Sequence, residues 1–182
     1  AKLLALQESI REESPEVKLH VSTRADKYLM DMDVIIAASS GAGKILDIMR
    51  VKPGCVITDV TRPLIFSPED TAKRPDVMVI QSGEIFLPGD NVEMKDIGLP
   101  PQTAYAGLAE TIVLALEGRF ESFTVGSDTE WGKVREIYRM GLKHGMKLAA
   151  ISGMAGMFSD DDIFKVKELA LKEIKKARKN PL

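Results

Sequence analysis

Two short apolar runs, Val34–Ala38 and Cys55–Val60, flank a helix-compatible segment, Gly43–Arg50, and this arrangement within Asp33–Pro63 constrains the fold more than any other feature. Val, Ile and Thr suit a pleated strand, and a continuous apolar run suits a strand buried on both faces. Each run stops at small or polar residues: Ser39-Ser40-Gly41 after the first, Asp59 to Pro63 after the second. Strand, helix and parallel strand within about 30 residues make a βαβ unit, whose ligands bind beyond the carboxyl ends of the strands.

The flanking chain extends the pattern. Ala1–Glu13 reads as an amphipathic helix closed by Ser14-Pro15, and Val17–Ser22 as an alternating strand near a sheet edge. Ala25–Met32 makes a short helix or turn, and Pro53-Gly54 turns into the second central strand. Ser67-Pro68-Glu69-Asp70 carries N-cap, N1 proline and first-turn acids, so it starts a short helix. Asp76–Gln81 is a further strand, Ser82-Gly83 a tight connection, Glu84–Leu87 a hairpin extension, and Asp90–Pro101 an irregular loop.

Gln102–Glu117 is apolar nearly all round, which predicts a buried helix. Its Ala104, Ala106, Gly107 and Ala109 would let a ligand or another backbone approach. Ser127-x-x-Glu130 is a capping box for a helix whose Trp131, Val134, Tyr138 and Leu142 share a face and which Gly145 ends. Leu148–Ile151 is read as a last short strand, Gly153–Gly156 as a flexible junction, and Ser159 as the cap of a basic helix ending near Lys179.

Assigning Val17–Ser22, Val34–Ala38, Cys55–Val60 and Asp76–Gln81 to strands 3, 4, 5 and 6 of a 3-2-1-4-5-6 sheet leaves strands 1 and 2 without residues. No G-x-G-x-x-G occurs in the sequence. The expected fold is therefore α/β: the second half of a doubly wound, parallel, Rossmann-like sheet plus C-terminal helices. The first βαβ unit and its Gly-rich turn would be missing, supplied by an upstream segment of the same protein. Residues 1–101 would form a partial NAD(P)-binding domain, and 102–182 a mainly helical region packed on it.

With 182 residues, 45% hydrophobic and 29% charged, the composition is that of an ordinary globular chain, and a net charge of −2 gives no reason to expect nucleic acid. The single cysteine, Cys55, lies in a predicted strand and cannot form an intrachain disulfide. No membrane span and no signal peptide are read from the sequence, so the expected location is cytoplasmic. A small-molecule substrate is the expected partner, and a homo-oligomer stays open.

Candidate site residues follow from the strand ends. Ala37, Ala38, Ser39, Ser40 and Gly41 form the turn after the first central strand, where a dinucleotide's riboses would pass. Lys44 with Gly43 suggests a phosphate loop, but Ala38 and Ile45 break the pattern at both ends. Asp59, Thr61, Arg62 and Pro63 end the second strand, where Arg62 could hold a carboxylate or phosphate. Ser82 and Gly83 end the third. Tyr105 and Glu110, on the apolar helix, are the candidate catalytic groups, since a carboxylate in apolar surroundings can act as acid or base. His20 and His144 lack metal-ligand spacing, so no metal is expected.

Leu3-Leu4-Ala5-Leu6-Gln7, Asp33–Ala38, Pro53–Asp59, Ala109-Glu110 and Lys143-His144-Gly145 resemble the C-terminal region of the long-chain acyl-acyl-carrier-protein reductases and related predicted amino-acid dehydrogenases. DVTRP at Asp59–Pro63 is also similar to a phrase in shikimate-type dehydrogenases. The resemblance implies an oxidoreductase using NAD or NADP. It also implies a thioester-forming cysteine where this chain has Gly107. The expected activity is thus an NAD(P)-dependent dehydrogenase or reductase acting on a carbonyl-type substrate without a Cys thioester. The alternatives are a non-catalytic dinucleotide-binding module and an acyl-thioester reductase with another nucleophile.

Overall fold

A computed structural model describes residues 2–39, 46–90, 92–126 and 129–179. Its centre is a parallel sheet of the three apolar runs: β1 (Val34–Ala37), β2 (Val56–Asp59) and β3 (Met78–Gln81). The strands are in register, with Ile35 beside Ile57 and Ile57 beside Val79. Because side chains alternate, these three share one face, and there they pack with Leu29, Ile48, Val51 and Phe66 into one core. Cys55, fully buried, belongs to the same cluster.

The α/β class and the parallel core agree with the sequence, but the sheet is mixed. Gly153–Gly156 does not form a flexible junction. It makes a hairpin of β7 (Ser152–Gly153) and β8 (Gly156–Met157), antiparallel to β3 through Gln81 and Ser152. Gly153 is needed there because a Cβ would strike the Phe158 ring and the Val79 carbonyl. The five-stranded order is β1-β2-β3-β7-β8.

Val17–Ser22, expected as a strand, pairs with no strand among the described residues. Its alternation could bury one face only against a free sheet edge; instead Ser22 Oγ and Arg24 close a local turn. The helix expected over Gly43–Arg50 falls largely outside the described residues, and what is described is a 3-10 turn at Ile48–Arg50, capped by Asp47. Helix α1 (Lys2–Glu13) forms as expected but buries no residue.

Glu84–Leu87 does not fold back on β3. Strand β4 (Glu84–Phe86) is the middle of a second sheet, between β5 (Thr103–Tyr105) and β6 (Lys147–Leu148). The Gln102–Glu117 helix is correspondingly shorter: Thr103–Tyr105 is strand, and α3 spans Ala106–Leu116. Thr103 and Ala104 are buried under β4, and pairing with a neighbour overrides the helical pattern in those residues. The Leu148–Ile151 strand shifts to Lys147–Leu148.

Three other helices position the rest. The short α2 (Pro68–Ala72) has the expected cap, with Ser67 and Asp70 bonding reciprocally. Helix α4 (Trp131–Lys143) packs on α3 through Ile137 and Met140; of the expected face, Val134, Tyr138 and Leu142 line the space between the two helices, while Trp131 is exposed. Ser127 of the expected capping box lies outside the described residues, and the N-cap is Glu130. Helix α5 (Asp160–Lys179) begins at a Ser159–Asp162 exchange and passes over the Gly54 turn. Among the described residues, no helix is long and apolar enough to cross a membrane.

Candidate functional site

The carboxyl ends of β2 and β3 lie side by side, and the loop after β2 is held by one buried carboxylate. Asp59 is 1% exposed. Its Oδ1 accepts from Thr61 N at 2.9 Å and Thr61 Oγ1 at 2.6 Å, and its Oδ2 accepts from Ile65 N at 2.9 Å. Asp59 and Thr61, both expected to touch a ligand, are hydrogen-bonded to each other. A short acceptor side chain bonding two residues on is the ordinary way such a loop is fixed.

Arg62 is exposed. Its guanidinium donates to Thr61 O at 2.7 Å and Ser82 O at 3.2 Å, and stands 5.2 Å above the Tyr105 ring. Arg62, Ser82 and Tyr105 are thus brought together, joining the ends of β2 and β3 to the start of α3. Gly83 completes the junction by accepting from Ala106 N at 2.7 Å. At the end of β1, Ala37 is buried, Ala38 is exposed, and Ser39 Oγ is buried without a hydrogen-bond partner among the described residues. Ser40 and Gly41 lie outside the described residues, as do Gly43 and Lys44.

A concavity of about 540 Å³ lies between α3 and α4 over β4 and β6. Its walls are largely apolar, formed by residues such as Ile85, Val113, Val134, Ile137 and Met146. Gly107 and Ala106 leave the α3 side open, and a Cβ at Gly107 would meet nothing. Glu110, half-buried, projects into this cleft from α3. Its Oε1 accepts from Thr124 N at 3.1 Å, and its Oε2 from Thr124 Oγ1. The sequence places Tyr105 and Glu110, the candidate catalytic groups, on one helix. Tyr105 is instead the residue before α3, stacked under Arg62, while Glu110 faces the cleft. Thr124 and the cleft itself were not foreseen; the small residues of α3 were the available signal.

Glu117 lies two turns beyond Glu110. Lys143 Nζ lies 2.7 Å from its Oε1 and His144 Nε2 2.5 Å, and both bonds hold its carboxyl below the usual carboxylate range, Lys143 most strongly. In the main core, burial pushes the Cys55 thiol up to about 11.

No protein-family profile matches the chain. The chain is similar to aminotransferase PigE of Serratia sp. (strain ATCC 39006), 33% identical over 119 residues. The match takes in 61% of this chain and 13% of PigE, so the chain spans a small fraction of the relative's length. This finding corrects the resemblance to acyl-acyl-carrier-protein reductases, which rested on short motifs of apolar and small residues. It also overturns the NAD(P)-dependent dehydrogenase or reductase activity, together with both of its alternatives, since the relative's name describes transfer of an amino group rather than hydride.

Proposed function

We propose that this chain is a substrate-holding domain of an enzyme related to aminotransferases, and that the α3–α4 cleft is the site where it holds an apolar small molecule. The similarity to PigE supports the first part. The observation that carries the second is the cleft, which lies within the usual range for small-ligand sites and presents one carboxylate among apolar walls.

Amino-group transfer commonly runs on pyridoxal phosphate, held as a Schiff base on a lysine with an acidic or basic partner for the pyridinium nitrogen. The described residues do not fit that group. Lys147, which lines the cleft, is exposed rather than desolvated. Asp59, the most buried carboxylate, has both oxygens taken up by Thr61 and Ile65. The role assigned to this chain is therefore binding. Its walls exclude water from an apolar chain, and Glu110 and Thr124 orient a polar end.

The test uses the full-length polypeptide with amino donors and carbonyl acceptors of increasing apolar length. Gly107→Phe fills the cleft from a position with free space, so melting temperature stays unchanged while KM for apolar substrates rises at least about ten-fold. Absence of amino transfer with every donor, or a Gly107→Phe enzyme with unaltered KM, overturns the reading.

The expectation that NAD or NADP lies across the ends of β1, β2 and β3 is kept as a proposal about a ligand alone, with no hydride transfer attached. Ser39 Oγ, buried without a hydrogen-bond partner among the described residues, supports a ligand there. Likewise, assigning the parallel core to the second half of a doubly wound sheet is a proposal supported by the β1-β2-β3 order. Titration calorimetry with either dinucleotide checks the first; lack of heat and of competition would end it.

A further inference from the structure

Resting on the cleft as a substrate site, we infer that its ligand is a primary amine on an apolar chain, bound as the ammonium ion with its charge on Glu110. The inference comes from how charges are distributed around α3. Glu117, on the same helix face as Glu110, is met by both Lys143 and His144. Glu110 is met by no cation among the described residues; its only partner is Thr124.

Neighbouring cations are engaged elsewhere. Arg119 binds Glu121 and Glu136, Lys133 stands over the Phe123 ring, and Arg135 over Trp131. Lys147 lines the cleft but forms no ion pair with Glu110. A carboxylate facing apolar walls without a counter-ion is costly to desolvate, and a ligand that supplies the positive charge removes that cost. Thr124 takes up part of each carboxylate oxygen's capacity and leaves lone pairs toward the cleft for further donors.

The chemistry of the walls narrows the cation. A quaternary ammonium calls for a cage of aromatic faces, and among the described residues Tyr138 is the single aromatic side chain lining the cleft. A primary ammonium has three donors for carboxylate oxygens and needs no cage. The apolar remainder of the space then takes an alkyl or similar chain. A primary amine is also what amino-group transfer to a carbonyl compound yields, so the cleft would hold the product side of that exchange.

The full chain is titrated, by calorimetry and by NMR, with n-hexylamine, n-hexanol and hexanoate. Hexylamine is expected to bind at least about ten-fold more tightly than hexanol, as a charge-assisted hydrogen bond to a carboxylate implies. Hexanoate, repelled by Glu110, should bind most weakly. Glu110→Gln should abolish the preference for the amine over hexanol. The comparison of three ligands on the unaltered chain stands even if that variant fails to fold. Equal binding of amine and alcohol, or tighter binding of hexanoate, overturns the amine assignment while leaving an apolar site in place. No binding by any of the three overturns the site together with the inference.

Discussion

Asp59, expected from the sequence to touch a ligand, ties its own loop. Three donors converge on its two oxygens, and with 1% exposure water cannot replace it. Asp59→Ala should cost about 2–4 kcal/mol in urea unfolding, because the freed donors stay buried. Cys55 gives a second expectation. A thiol raised to about 11 by burial has almost no thiolate at neutral pH, so it should resist Ellman's reagent in the native chain and react at once in denaturant. The sequence made Cys55 legible as a buried small hydrophobe, because it stands inside an apolar run. It did not reveal that Thr61 would occupy Asp59, since a carboxylate that binds a ligand and one that ties its own loop are identical in sequence. Glu117 carries a pH dependence. Its folded carboxyl is depressed, mainly by Lys143, so the associated stability is complete above the unfolded value near 4.5 and disappears as pH falls through the lower folded value. Glu117→Gln should flatten the acid limb of stability against pH in that window, read by thermal melting across pH 2–6.

Among the elements, those defined by local chemistry were legible. The three parallel strands are continuous apolar runs, and α2 carries its start signal in Ser67-Pro68-Glu69-Asp70. Elements that depend on a distant partner were not. Thr103–Tyr105 has helical patterning but is drawn into a strand by β4, while Val17–Ser22 alternates as a strand and finds no edge to join. The Gly153–Gly156 hairpin was read as a loop because two-residue strands give no periodicity to detect. Gly54 fixes another long-range contact: its φ is +79°, and a Cβ would land on the backbone of Leu169 and Ala170 in α5. Gly54→Ala should therefore destabilise the chain by at least about 1 kcal/mol, through both strain and displacement of the helix. Faster amide exchange along α5 than along β2 would identify the helix as the part released.

At the scale of the molecule, the two faces of the main sheet are unequal. Ile35, Ile57 and Val79 are covered by a core, whereas on the opposite face Val34 and Ile36 of β1 are 59% and 73% exposed. Parallel sheets ordinarily have both faces covered, and an apolar, uncharged edge strand invites pairing. The 182-residue chain should thus self-associate as concentration rises. Ile36→Lys should suppress this in sedimentation velocity while changing unfolding free energy by no more than about 0.5 kcal/mol.

The β7–β8 hairpin makes enlargement of this sheet directional. At that margin the outermost strand is only Gly156 and Met157, turned antiparallel and too brief to template a neighbour. At the other margin, β1 offers four consecutive backbone units in the orientation of β2 and β3. Anything grafted on or recruited as an extra ribbon would have to enter beside Val34–Ala37 and run the same way, so an engineer extending this protein has one doorway and one heading.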